Sequence, residues 1–156
     1  MLRKSKDIYL KSPNALNSIK LFIEPLNNKT LSLLETGKIN DLQSEQERAK
    51  ILEKEAGWDG KEARRVVDVY HGSLLINGAT RLQRFERVRS YLSAAFRDWL
   101  GYYNKAKHRV SGFKVVFTDL VVHEDPRHTP YGQITGMVFS ALKLAMLDAF
   151  NNTQKE

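Results

Sequence analysis

The chain has 156 residues, no cysteine, and a formal net charge of +7 from 25 basic and 18 acidic side chains. That length suffices for one domain with its own core, and the missing thiols exclude disulfide scaffolds, cysteine nucleophiles and thiolate metal sites. A sequence pI near 9.6 points to a polyanionic partner, with a merely solubilising charge as the alternative.

The first 20 residues set Arg3, Lys4, Lys6, Lys11 and Lys20 against Asp7 alone, whereas residues 35–62 hold eight acids and five bases. The basic start has no apolar run behind it long enough for a leader, and no run approaches the roughly 20 apolar residues of a membrane span. A cytoplasmic location with no membrane partner is therefore expected. Residues 8–10 and 19–24 read as strands, with Ile19, Leu21 and Ile23 alternating against Lys20, Phe22 and Glu24, and a Pro13-Asn14 turn between them. Pro25 ends the second strand. Asn28 caps a short helix over 29–35 that Gly37 closes, and Asp41 or Ser44 opens another running to Ala56, closed by Gly57. That second helix has a thin apolar stripe (Ala49, Leu52, Ala56), so it belongs at the surface.

Residues 66–69 and 74–76 read as short strands around Tyr70-His71-Gly72. Leu82, Phe85, Val88, Leu92, Ala95, Phe96 and Trp99 recur at helical spacing over 81–100. The longest strand signal covers 113–123. A second strong helix covers 133–150, with Ile134, Met137, Val138, Ala141, Leu142, Ala145 and Ala149 inward. Without repeats, low-complexity tracts or long linkers, the pattern predicts one α+β domain over 1–156, with ends 1–10 and 151–156 flexible. Its architecture is a two-layer sandwich, helices on one face of a mixed sheet.

Nucleotide and metal chemistry find little support. Thr36-Gly37-Lys38-Ile39 lacks both the first glycine (Ser32) and the final Ser/Thr (Ile39) of a phosphate-binding loop. His123-Glu124 opens a zinc-protease pattern that would need histidine at position 127, where Arg127 stands, and Pro126 forbids a helix through it. A loop metal site from His123, Asp125 and His128 is the weaker alternative. No serine nucleophile arrangement is present, so no catalysis, no cofactor and no metal are expected.

Three segments carry a family resemblance: Ser12-Pro13-Asn14-Ala15-Leu16-Asn17, Gly57-Trp58-Asp59 with Ala63-Arg64-Arg65, and His123-Glu124-Asp125-Pro126-Arg127-His128-Thr129-Pro130-Tyr131-Gly132-Gln133. In this order and spacing they resemble S-P-N-K-H-N, G-W-D-x-x-x-A-R-R and H-x-D-x-x-H-R-G-x-G-Q of domain IV of archaeal and eukaryotic translation elongation factor 2. The wording is nearest to archaeal members. The resemblance implies a βαβ unit with a left-handed crossover, as in a ribosomal-protein fold, where periodicity alone gives the right-handed default. It implies that 12–17 and 123–133 form a tip that enters the small-subunit decoding centre. His128 takes the place of the histidine converted to diphthamide. Thr129 replaces an arginine there, Pro130-Tyr131 replace a small pair, and Ala15-Leu16 replace lysine and histidine. These departures put modification of His128 in doubt, while Tyr131 offers a ring for base stacking. Trp58 and Gly57 have the plainer reading of core anchor and helix cap.

The contact set implied at the tip is Ser12, Pro13, Asn14, Asn17, His123, Asp125, Arg127, His128, Thr129, Tyr131 and Gln133. Arg81, Arg84, Arg87, Arg89 and Arg97, then Lys105, Lys107, His108 and Arg109 with Tyr102 and Tyr103, form a second basic stretch. From it Arg84, Arg87, Lys105, Lys107 and Arg109 complete the expected RNA contacts, against the alternative of a merely solvated face. The resulting expectation is a monomeric ribosome-binding protein without GTPase activity. Lodged at the small-subunit rRNA, it competes with tRNA and elongation factor 2 and silences translation as a hibernation-type factor. Alternatives are an off-ribosome RNA- or tRNA-binding accessory and an excised domain of a full elongation factor.

Overall fold

The computed structural model describes residues 2–79, 84–105 and 111–151. Strand β5 (Phe113–Val121), apolar on both faces over its first half, is the centre of a five-stranded sheet. Its neighbours are β2 (Ser18–Pro25), antiparallel, and β4 (Ser73–Asn77), parallel. The edges are β1 (Ile8–Lys11) beside β2 and β3 (Val66–Tyr70) beside β4, giving the order β1-β2-β5-β4-β3. A parallel neighbour needs a crossover, which helix α4 (Phe85–Lys105) supplies between β4 and β5. This is a βαβ unit, as the family resemblance implies, within the α+β fold with a mixed sheet read from sequence.

Period-two alternation sorts the side chains into two cores. Ile19, Leu21 and Ile23 of β2, Leu75 of β4 and Phe113, Val115 and Phe117 of β5 face α4 and α5 (Tyr131–Asn151). The two long helices thus form the expected layer on one face. Leu74, Ile76 and Val116 point the other way, into a smaller core under α1 (Asn28–Glu35), α2 (Glu45–Ala56) and α3 (Gly60–Ala63). That second cover was not legible because its stripe is only one residue wide per turn.

Caps follow local chemistry. Asn27, not Asn28, caps α1 by accepting from the Thr30 amide, and Ser44, not Asp41, caps α2 by accepting from the Glu47 amide. Gly57 ends α2 at φ +72°, and Trp58 follows half-buried, its indole donating to Thr30 Oγ1 at 2.8 Å. Helix α4 begins at Phe85 and runs to Lys105, later at both ends than the predicted 81–100, because Arg84 sits at φ +66° and cannot continue a helix. Residues 2–7, expected to be loose, are tied down: Ser5 is buried and its amide donates to Ile23 O at 2.8 Å.

Helix α5 is the one helix among the described residues long and apolar enough to cross a membrane, with a mean hydropathy of 1.2. Its apolarity has a different use here. Ile134, Ala141, Leu142, Ala145, Met146 and Ala149 are fully buried against the sheet and α4. A truncation such as Leu142→Ala at this layer costs about 2–5 kcal/mol.

Candidate nucleic-acid interface

A bulge in β5 opposite Lys20/Leu21 leaves Thr118 unpaired and flips the alternation, so Leu120 and Val122 stay inward. The chain leaves the sheet with Val122 anchored and His123 half-buried, at the same end as the β1–β2 loop. Pro126–His128 forms a single 3₁₀ turn, with Asp125 accepting from the Arg127 amide, before α5 begins.

Asn17 joins the two tip loops. It is only 1% exposed, its Nδ2 donates to His128 O at 3.0 Å and to Ser12 Oγ at 3.1 Å, and its Oδ1 accepts from the His123 amide at 2.9 Å. Asn14 adds a second tie, Nδ2 donating to His128 O and its amide donating to Gln133 Oε1, both at 2.8 Å. The His123 and His128 rings meet edge to face with centroids 4.8 Å apart, and His123 Nδ1 accepts from the Asp125 amide. The cross-loop pairing expected between 12–17 and 123–133 is thus built from amides and main chain.

This arrangement divides the expected contact set. Ser12, Asn17 and Thr129 are buried, so these three hold the tip and do not present side chains at its surface, while the half-buried Gln133 accepts from the Asn14 amide. The correction has one cause: a short polar loop must satisfy its own main-chain groups before it has side chains to spare. Facing outward are Pro13, Arg127, His128 and Tyr131, with Ala15 and Leu16. Asn14, His123 and Asp125 lie half-buried between the two groups. Tyr131, 49% exposed, packs its ring at a T-shaped angle on Tyr91, 5.3 Å away, and keeps the rest free for stacking. Arg127 pairs with Asp125 at 2.8 Å, which lowers the Asp125 pKa through the Arg127 side chain first and the Arg127 amide second.

Arg84 and Arg87 have partners of their own at the base of the tip. Arg84 donates to Val122 O at 3.1 Å, while Arg87 donates to Glu124 O at 3.0 Å and closely to His123 O. They brace the base of the tip, which couples charge reversal there to tip geometry. Arg89 pairs with Glu45 and Glu86. Arg97 is bidentate to Asp68, both contacts 2.7 Å, and also reaches Asp41, so it is no free cation. Lys105 is exposed at the far end of α4. Arg81, Lys107, His108 and Arg109 lie outside the described residues.

Sequence reasoning missed Arg48. It is 4% exposed and donates to Asn40 O, Gln43 O and Val66 O, its pKa lowered first by burial. Together Arg48, Asp68, Asp41 and Arg97 lock α2, β3 and α4. The helical position of Arg48 beside Ala49 and Leu52 was the available signal. Among the described residues no three histidine or carboxylate side chains are placed to hold a metal.

No protein-family model matches the chain. Elongation factor 2 of Pyrobaculum calidifontis is 38% identical over 141 residues, 89% of this chain and 19% of that protein. The Desulfurococcus amylolyticus protein of that name is 39% identical over 140 residues, and that of Aeropyrum pernix 35% over 139. The chain spans about a fifth of the length of these relatives. It is homologous to that part of elongation factor 2.

Proposed function

We propose, from homology to one segment of elongation factor 2, that the chain binds the ribosome by its tip. Pro13, Arg127, His128 and Tyr131 enter the decoding region of the small subunit, where the tip takes the space of an A-site tRNA and of elongation factor 2. Occupancy there silences or regulates translation, as a hibernation-type factor does, without GTP hydrolysis or other catalysis. The protein acts as a cytoplasmic monomer, and an archaeal source fits the organisms of its relatives. One observation supports this most: Asn14 and Asn17 lock the two loops together through His128 O, giving a tip already shaped before it meets RNA. Preorganisation of that kind lowers the ordering cost of binding.

The test is an in-vitro translation assay with cosedimentation. His128→Ala with Tyr131→Ala should relieve inhibition more than it lowers ribosome binding, because the tip supplies position and the charge of the chain supplies most of the attraction. Equal loss of both, or none, counts against the reading. A second reading, that the chain works as one domain of a full elongation factor, is favoured by the match to a single segment of the relatives. An immunoblot of source-cell extract separates them: a band near 17.9 kDa supports the first, a band of full factor size the second.

A further inference from the structure

The pole opposite the tip carries a second feature. Strand β4 runs parallel to β5, so the turn before it lies at the far end of the sheet. Helix α4 starts beside Val122 and reaches this same end at Lys105, roughly 30 Å away along its axis. A cleft of about 650 Å³ opens there, lined by Tyr70, His71, Arg97, Asp98, Tyr102 and Lys105 among others.

Its walls are rings. Tyr102 is 62% exposed, and its ring lies 6.0 Å from that of Phe139. The His71 and Tyr70 rings meet at a T-shaped angle with centroids 4.3 Å apart, and the Arg97 guanidinium lies over the Tyr70 ring, 4.8 Å from its centroid. Asp68 and Asp41 neutralise Arg97, and Asp98 adds a further acid to the lining. Among the described residues the lining is therefore aromatic and low in net charge, with Lys105 at its rim. That chemistry does not suit a run of phosphates. It suits a flat, uncharged ring attached to a single phosphate.

We propose that this cleft binds an unpaired nucleobase of RNA, stacked against Tyr102 and His71, with Lys105 on the adjoining phosphate. A duplex is excluded because its bases are already stacked. The site is separate from the tip and gives the protein a second RNA contact, one that orients the long axis of the molecule.

Binding of a fluorescein-labelled single-stranded adenylate octamer, followed by fluorescence anisotropy, tests this on the full chain. Tyr102→Ala and His71→Gly should each weaken binding about tenfold, the cost expected for losing one base stack. His71→Gly is a clean variant, because His71 sits at φ +45°, a conformation glycine adopts freely. Tyr102→Ala should cause the same tenfold loss in a His128→Ala/Tyr131→Ala background, which separates this site from the tip. Unchanged affinity in both cleft variants, preference for a duplex of equal length, or no octamer binding by the parent protein would each overturn the proposal. So would cross-links from position 102 that reach ribosomal protein and not rRNA.

Discussion

Asn17 joins the tip through two cross-loop bonds and one bond within its own loop. Asn17→Ala leaves His128 O with one donor and the half-buried His123 amide with none, a loss of about 1 kcal/mol or more for stranded polar groups. Urea denaturation should show that drop, and hydrogen exchange at His123 should quicken far more than exchange in β5. An unchanged His123 rate would show that the loops are held another way. Asp125 adds a pH dependence. Its folded pKa is lowered, so the ionised pair with Arg127 contributes above the ordinary carboxylate range and is lost as pH falls through the folded value. The Asp125 side-chain carboxyl carbon shift should therefore move only as pH falls below the ordinary carboxylate range. Asp125→Asn should abolish that low-pH step.

At the scale of elements, backbone conformation predicts unequal costs for two similar substitutions. Gly57 at φ +72° has open space around an added Cβ, so Gly57→Ala should lose only the left-handed penalty, about 1 kcal/mol. Gly112 at φ +84° adds a contact of 2.7 Å with Leu31, so Gly112→Ala should cost more, as thermal denaturation of the two variants would show. Equal losses would mean that Leu31 yields freely. The glycine stop at Gly57 was legible in the sequence, as were the 3.6-residue periods of α4 and α5 and the alternation in β2. Those signals are local and repeat over several turns. The Arg48 and Asp68 network was not legible, since its long-range pairs are 18 to 56 residues apart and the Arg48 partners are main-chain oxygens. The same reason hid Arg84 and Arg87: their spacing shows a polar face, but only the fold brings the carbonyls of 122–124 beneath it.

For the whole molecule, a net charge of +7 is carried on a fold whose α4 arginines are largely engaged. Attraction to RNA then comes from the summed field, and ribosome affinity should fall steeply as salt rises. A salt-insensitive complex would point to a protein-protein contact. Lys105→Glu should lower affinity without loosening the tip, unlike reversal at Arg87, and circular dichroism with exchange at His123 would distinguish the two. Mass spectrometry should find His128 unmodified, given Thr129-Pro130-Tyr131 after it.

The chain has no cysteine, so His128→Cys creates a single attachment point for an iron chelate that releases hydroxyl radicals. Bound to ribosomes, this variant should cut small-subunit rRNA around the decoding centre, and excess elongation factor 2 should suppress the cuts. Cleavage confined to other regions, or undiminished by elongation factor 2, would contradict placement of the tip in the decoding region.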